Sequence, residues 1–160
     1  TYKPHLVLVM IGGNDHQNMV IHGNVQGFGN SPWVTLYSNR IQQLVSLANA
    51  NGAYVAWVGL PVMAPPMYNR AMRNLNGYYY SIVHSNPAAV FIPTTQVFAT
   101  GSGAYRGVAP VNGIASNLRS SDGIHFSVSG QNVLATYVLQ QLSSKFHVDL
   151  HPRHPQAISR

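Results

Sequence analysis

The sequence predicts an α/β domain in which a parallel sheet is flanked by helices. Three observations predict it. Short, wholly apolar runs occur at Leu6 to Ile11, Tyr54 to Val58 and Ala89 to Ile92; stretches of helical periodicity lie between and after them; and Gly, Pro and Asn punctuate the junctions. Strand alternating with helix calls for crossover connections, and strands apolar at every position suit a sheet covered on both faces.

Leu6 to Ile11 reads as the first strand and stops at Gly12-Gly13-Asn14-Asp15. Ser31-Pro32 supplies an N-cap and a first-turn proline for a helix. Tyr37, Ile41, Leu44, Val45 and Ala48 then recur at helical spacing until Asn51-Gly52 stops them. Tyr54 to Val58 is a second buried strand, closed by Gly59-Leu60-Pro61. After Pro65-Pro66, the residues Tyr68, Met72, Leu75, Tyr79 and Ile82 mark another helix face, ended by Asn86-Pro87. Ala89 to Ile92 is the third strand. A long Gly/Ser-rich loop leads to Ser121, and a last helix follows Ser127 with Val133, Leu134, Tyr137, Val138 and Leu142 facing inward. One domain therefore spans 1–146, with 147–160 as a tail. The segments Gly12 to Asn30 and Pro93 to Ser121 are longer than simple connectors and are expected to be functional. Right-handed crossovers place the loops after each strand on one edge, where open α/β sheets bind ligands.

At 160 residues and 46% hydrophobic, the chain can bury a sizeable core, yet only 8% of its residues are charged, against about 25% in an ordinary domain. Glutamate is absent, and the three acids are Asp15, Asp122 and Asp149. Carboxylates this scarce are expected to have specific local tasks. The net charge of +6 arises from few acids rather than many bases. The lysines and arginines form no stripe of the kind that binds nucleic acid, so no nucleic-acid partner is expected. The lack of cysteine removes disulfide and thiol chemistry. No apolar run approaches the ~20 residues of a membrane span, and the Asn/Ser/Tyr-rich, nearly uncharged surface suits a periplasmic or secreted protein. The histidines at 147, 151 and 154 lack the supporting ligands of a zinc site; neither metal nor cofactor is expected.

Two stretches carry chemistry. In Gly12-Gly13-Asn14-Asp15, glycines let the backbone turn sharply at the end of a strand, and Asn14 presents an amide donor suited to a developing oxyanion; a plain Gly-Asn turn is the alternative. In "SSDGIHFSVSG", Asp122 and His125 lie three residues apart just before a helix. A carboxylate there can fix the imidazole tautomer and leave the other nitrogen as a general base; a turn beside a packing histidine is the alternative. Gly13 and His16 are the candidates for substrate contact, with a solvated loop role open for His16 and His22. Trp33, Trp57 and Tyr78-Tyr79-Tyr80 could form a sugar-binding surface or simply fill the core.

In this order the two stretches resemble the SGNH (GDSL-type) hydrolase superfamily, Asn14 matching its GxND block and Asp122/His125 its DxxH block. "WVGLPVM", "MRNLNGYYY" and "LRSSDGIHFSVSG" are similar to a periplasmic subgroup, and the resemblance runs from about Leu6 to Leu142. It implies a three-layer flavodoxin-like fold and serine ester hydrolysis. Asn14 would serve in the oxyanion hole, His125 as base and Asp122 as its orienting carboxylate. Acylated envelope or extracellular glycans are the implied substrate class. The family's Gly-Asp-Ser nucleophile block lies upstream of GxND and occurs nowhere in this sequence. The chain is accordingly expected to be a C-terminal portion, its N-terminal strand and serine supplied by an upstream segment of the same protein. Acyl transfer to a sugar hydroxyl, or a non-catalytic glycan-binding domain, are the rival readings.

Overall fold

The computed structural model describes residues 3–147. In chain order its elements are β1 (Leu6–Val9), a hairpin of β2 (Met19–Ile21) and β3 (Asn24–Gln26), α1 (Ser31–Asn49), β4 (Tyr54–Val58), α2 (Pro66–His84), β5 (Ala89–Ile92), the single turn α3 (Thr95–Phe98), a second hairpin of β6 (Val108–Val111) and β7 (Ile114–Asn117), and α4 (Val128–Phe146). The main sheet runs β1-β4-β5, all parallel, with Leu6 opposite Tyr54 and Val55 opposite Ala89. The fold is α/β with helices on both faces, as expected of a flavodoxin-like layering.

Side-chain alternation along β4 divides the core in two. Val55 and Trp57 face α1 and α2, packing with Ile41, Val45, Leu75 and Tyr79. Ala56 and Val58 face α4, packing with Ile92, Tyr137, Val138 and Leu142. The runs at β4 and β5 are apolar throughout because helices cover both sides of them. At β1 the cover is uneven: Val9 is buried beneath α1 and α2 and Leu6 packs against the α4 layer, whereas Leu8 is 53% exposed. This edge strand also ends at Val9 rather than at Ile11, which is exposed.

Helix α1 is capped by Asn30, whose side chain accepts from the Trp33 N–H; Ser31, expected as the cap, is the first helical residue. Ser127 caps α4 as expected, accepting from the Gly130 N–H at 3.0 Å. On α2 the buried stripe runs through Ala71, Met72, Leu75, Tyr79 and Val83, while Tyr68 and Ile82 are half-buried. His147 closes α4 in the left-handed conformation; the remainder of the expected tail lies outside the described residues. Both long loops contain a hairpin that the periodicity did not predict. Their turns, His22-Gly23 and Asn112-Gly113, take positive φ at both central residues, the geometry that matches strand twist. No helix among the described residues is long and apolar enough to cross a membrane.

Two glycines in helices should respond oppositely to alanine. A Cβ on Gly130 would collide with the Leu118 carbonyl that α4 rests upon, whereas nothing stands within 4 Å of one on Gly77. Gly130→Ala should lose about 1–3 kcal/mol through overpacking, while Gly77→Ala should gain up to ~1 kcal/mol of helix propensity. Urea-denaturation midpoints measure both; equal effects would contradict the close approach of α4 to the hairpin.

Candidate active site

The loop after β1 begins with Gly12 at φ +106°. A Cβ there would strike the Tyr79 hydroxyl, so the turn depends on glycine for both conformation and space. The Asp15 N–H closes the turn on the Gly12 carbonyl at 3.0 Å. Beneath it, the Tyr37 hydroxyl donates to Asp15 Oδ2 at 2.7 Å and lies 2.7 Å from the Tyr79 hydroxyl. Burial pushes the Tyr79 phenol up to about 12 and raises that of Tyr37 further, its hydrogen bonds with Tyr79 and Asp15 adding to the effect. Both phenols therefore remain protonated donors, and Asp15 braces its turn as an acceptor.

Asn14 is exposed at the crest of this turn. Its carbonyl accepts from Gln17 Nε2 at 3.0 Å, and the Gln17 carbonyl accepts from Nε1 of the buried Trp33 at 2.8 Å. The backbone around Asn14 is thus anchored to α1 and α2 while its carboxamide faces solvent. Gly13 is half-buried with open space around its Cα. His16 is packed rather than solvated: its ring lies against Tyr68 at 4.4 Å and edge-on to Phe28 at 6.3 Å, with Nδ1 buried and unpartnered. His22 is spent on the hairpin turn. Trp33, Trp57 and Tyr79 fill the core, which removes them from any sugar-binding surface.

Asp122 and His125 form a second candidate cluster. Asp122 Oδ1 accepts from the N–H groups of Ile124 at 2.8 Å and His125 at 3.0 Å; Oδ2 lies 2.6 Å from His125 Nδ1. The turn requires Gly123 at φ +67°, where a Cβ would also collide with Ala64. The hydrogen bond from His125, then those from the two backbone N–H groups, hold the Asp122 carboxyl down to about 2. An ionised carboxylate can only accept, so the proton sits on His125 Nδ1 and Nε2 is left as the basic nitrogen. The imidazole is 78% exposed. This loop is stitched to the segment leaving β4, where the Ala64 N–H donates to the Gly123 carbonyl at 3.1 Å.

Because β1 and β4 are parallel neighbours, Asn14 and the Asp122–His125 loop both stand at the carboxyl edge of the sheet. They do not line a common cavity. A cavity of about 420 Å³ is lined by Asn14, Asp15, Tyr37, Arg40 and Trp57, among others, and by neither Asp122 nor His125. Among the described residues, no three His, Cys, Asp or Glu side chains gather as metal ligands.

The roles of Tyr37 and Tyr79 in bracing Asn14 were missed in sequence, where both read as core positions. The available signal was the choice of tyrosine over phenylalanine at buried sites, since a buried hydroxyl needs a partner.

The model of the family described as "Protein of unknown function (DUF459)" matches residues 1–141. The chain belongs to the DUF459 family. No curated protein sequence matches it. Among solved structures, this DUF459 domain is similar to "a putative platelet activating factor from Streptococcus pneumonia", with a TM-score of 0.59 and 17% identity. The match covers 86% of this chain and 59% of that one, so the chain spans under two thirds of its neighbour's length. At that identity the likeness concerns the fold.

The depressed Asp122 carboxyl makes a prediction about acid stability. Its folded value lies below the ordinary one, so its contribution is complete above about pH 4 and is lost as pH falls through about 2. Denaturation midpoints of the DUF459 domain between these limits should fall less steeply in Asp122→Asn than in wild type. Parallel curves would show that the pairing contributes nothing to the folded state.

Proposed function

We propose that this chain carries the histidine and carboxylate of a serine ester hydrolase of the SGNH type. The observation that supports it best is the Asp122–His125 pair: Nδ1 and Oδ2 are 2.6 Å apart, and the carboxylate is oriented by two backbone N–H groups. In this reading a serine hydroxyl attacks the ester carbonyl as its proton passes to His125 Nε2. The tetrahedral oxyanion accepts from the Asn14 carboxamide. Collapse breaks the C–O bond, and His125 returns the proton to the departing alkoxide. Water, activated by the same nitrogen, then releases the acid from the acyl-serine. The open edge of β1, with Leu8 exposed beside it, supports a nucleophile-bearing strand from an upstream segment pairing there.

The proposed substrates are acyl esters of envelope or extracellular glycans, met in the periplasm or outside the cell. In this reading Gly13 and His16, near Asn14 in the chain, are the proposed substrate contacts. A non-catalytic glycan-binding domain is the second reading, favoured by the lack of a Gly-Asp-Ser sequence in the chain.

The test uses the full gene product and a chromogenic acetate ester. His125→Ala should lower kcat on the order of 10²–10⁴-fold, the range expected for losing the general base. A fluorophosphonate should label the wild type and spare the variant. Hydrolysis undiminished in His125→Ala would refute the assignment, as would a wild type that neither hydrolyses nor labels. Product analysis with a sugar acceptor separates hydrolysis from acyl transfer.

A further inference from the structure

Arg119 is a charged residue that the mechanism above does not use. It lies between β7 and Asp122 and is 4% exposed. Its Nη2 donates to the Val62 carbonyl at 2.7 Å and approaches Met63 Sδ at 3.8 Å. The guanidinium sits in an aromatic box, 4.6 Å from the Phe126 ring centre, 5.7 Å from Phe98 and 5.9 Å from Tyr105. Nε and Nη1 are buried without a hydrogen-bond partner, and the ion pair found among the described residues is His125–Asp122, which excludes Arg119.

A buried cation with no carboxylate at ion-pair distance is a poor device for stability, and an apolar chain of similar volume commonly packs as well or better. Its placement has a different logic. Val62 belongs to the segment leaving β4, and Phe126 directly follows His125. Arg119 and Phe126 also form an antiparallel bridge, extended by the Ser120 N–H donating to the His125 carbonyl at 2.8 Å. One side chain thus spans from the sheet edge to both ends of the loop that carries the pair.

We infer that Arg119 is a positioning residue for Asp122 and His125, fixing their loop against the β4 edge and holding a positive charge behind the carboxylate. Burial lowers the proton affinity of the guanidinium, while Tyr105 and Asp122 act in the opposite sense. Arginine stays charged across any working pH, so the field at Asp122 is permanent, which a titratable lysine or histidine would not guarantee in this box. The inference rests on the proposed hydrolase reading for its catalytic consequence, but not for its structural one.

The test compares Arg119→Met, which fills the box, and Arg119→Lys, which keeps a charge without the planar fork. Arg73→Met is the control, since Arg73 is exposed and makes a single 3.4 Å bond to the Gly103 carbonyl. The first readout needs no activity. In the proton NMR spectrum, the downfield His125 Nδ1–H resonance, assigned by its loss in Asp122→Asn, should be displaced or broadened in Arg119→Met and unchanged in Arg73→Met. The second readout is turnover by the full gene product. Arg119→Met should lower kcat on the order of 10²-fold, as expected for a displaced catalytic group, with KM little changed. Arg119→Lys should recover part of the loss.

A variant that keeps the resonance and kcat while losing only its urea midpoint would show a purely structural pin and overturn the inference. If Arg119→Met does not fold, Arg119→Lys decides by the same readouts. If His125→Ala retains hydrolysis, the hydrolase reading fails alone, and the resonance still judges whether Arg119 holds the pair.

Discussion

Strand β4 is hydrogen-bonded along both edges, to β1 and β5, and its side chains are divided between two apolar layers. Val55, Ala56, Trp57 and Val58 are each at most 1% exposed. Such a strand cannot shift register by one residue without exchanging the populations of the two layers. The segment that leaves it inherits this fixity. Asn76 of α2 grips Leu60 twice, accepting from its N–H at 2.7 Å and donating to its carbonyl at 2.8 Å. Val62 and Ala64, a few residues on, are the attachment points for Arg119 and Gly123. The Asp122–His125 loop therefore hangs from the most constrained strand in the molecule, although it is distant from that strand in sequence.

Scarcity of carboxylates organises the rest of the rim. Asp15 and Asp122 are the acids among the described residues, and each orients a turn through its own oxygens. They differ in what they hold. Asp15 accepts from a phenol whose proton is secured by burial, a neutral contact that braces Asn14 from below. Asp122 accepts from an imidazole, and its depressed carboxyl ensures an acceptor across the ordinary pH range. The first partner is a phenol beneath the turn; the second is an imidazole at the surface. Among the described residues no further acidic side chain is present to compete for their donors.

Legibility in the sequence followed burial. The runs at β4 and β5 were readable to the residue because both faces are covered and no polar position interrupts them. The run at β1 looked equivalent, yet its last two apolar residues lie beyond the strand and Leu8 is bare, since apolar composition alone does not distinguish a covered face from an exposed one. The hairpins were hidden by short strands of mixed polarity. Asn112-Gly113 carried the usual turn signature, but Pro110 inside β6 argued against a strand, and His22-Gly23 places an uncommon residue at positive φ. For the site, the Asp122–His125 spacing was legible because a three-residue reach is local geometry. The tyrosine brace under Asn14 was not, because it joins residues 22 and 42 positions apart.

The exposure of His125 bears on how such a pair could work. With 78% of the imidazole open to water, little of its orientation can come from packing. Coulomb attraction at this distance is strongly attenuated in a solvent-like dielectric. What remains is backbone geometry: two N–H groups and a left-handed glycine aim the carboxylate, and the carboxylate aims the ring. A pair ordered in this way is preorganised before any ligand arrives, yet its basic nitrogen stays hydrated until something displaces the water. Desolvation must then come from the bound molecule or from chain packed against the rim, and the strength of the base would rise or fall with how completely that cover excludes water. On the proposed hydrolase reading, the orienting half of the chemistry falls to the loop, and the dielectric half to whatever lies over it.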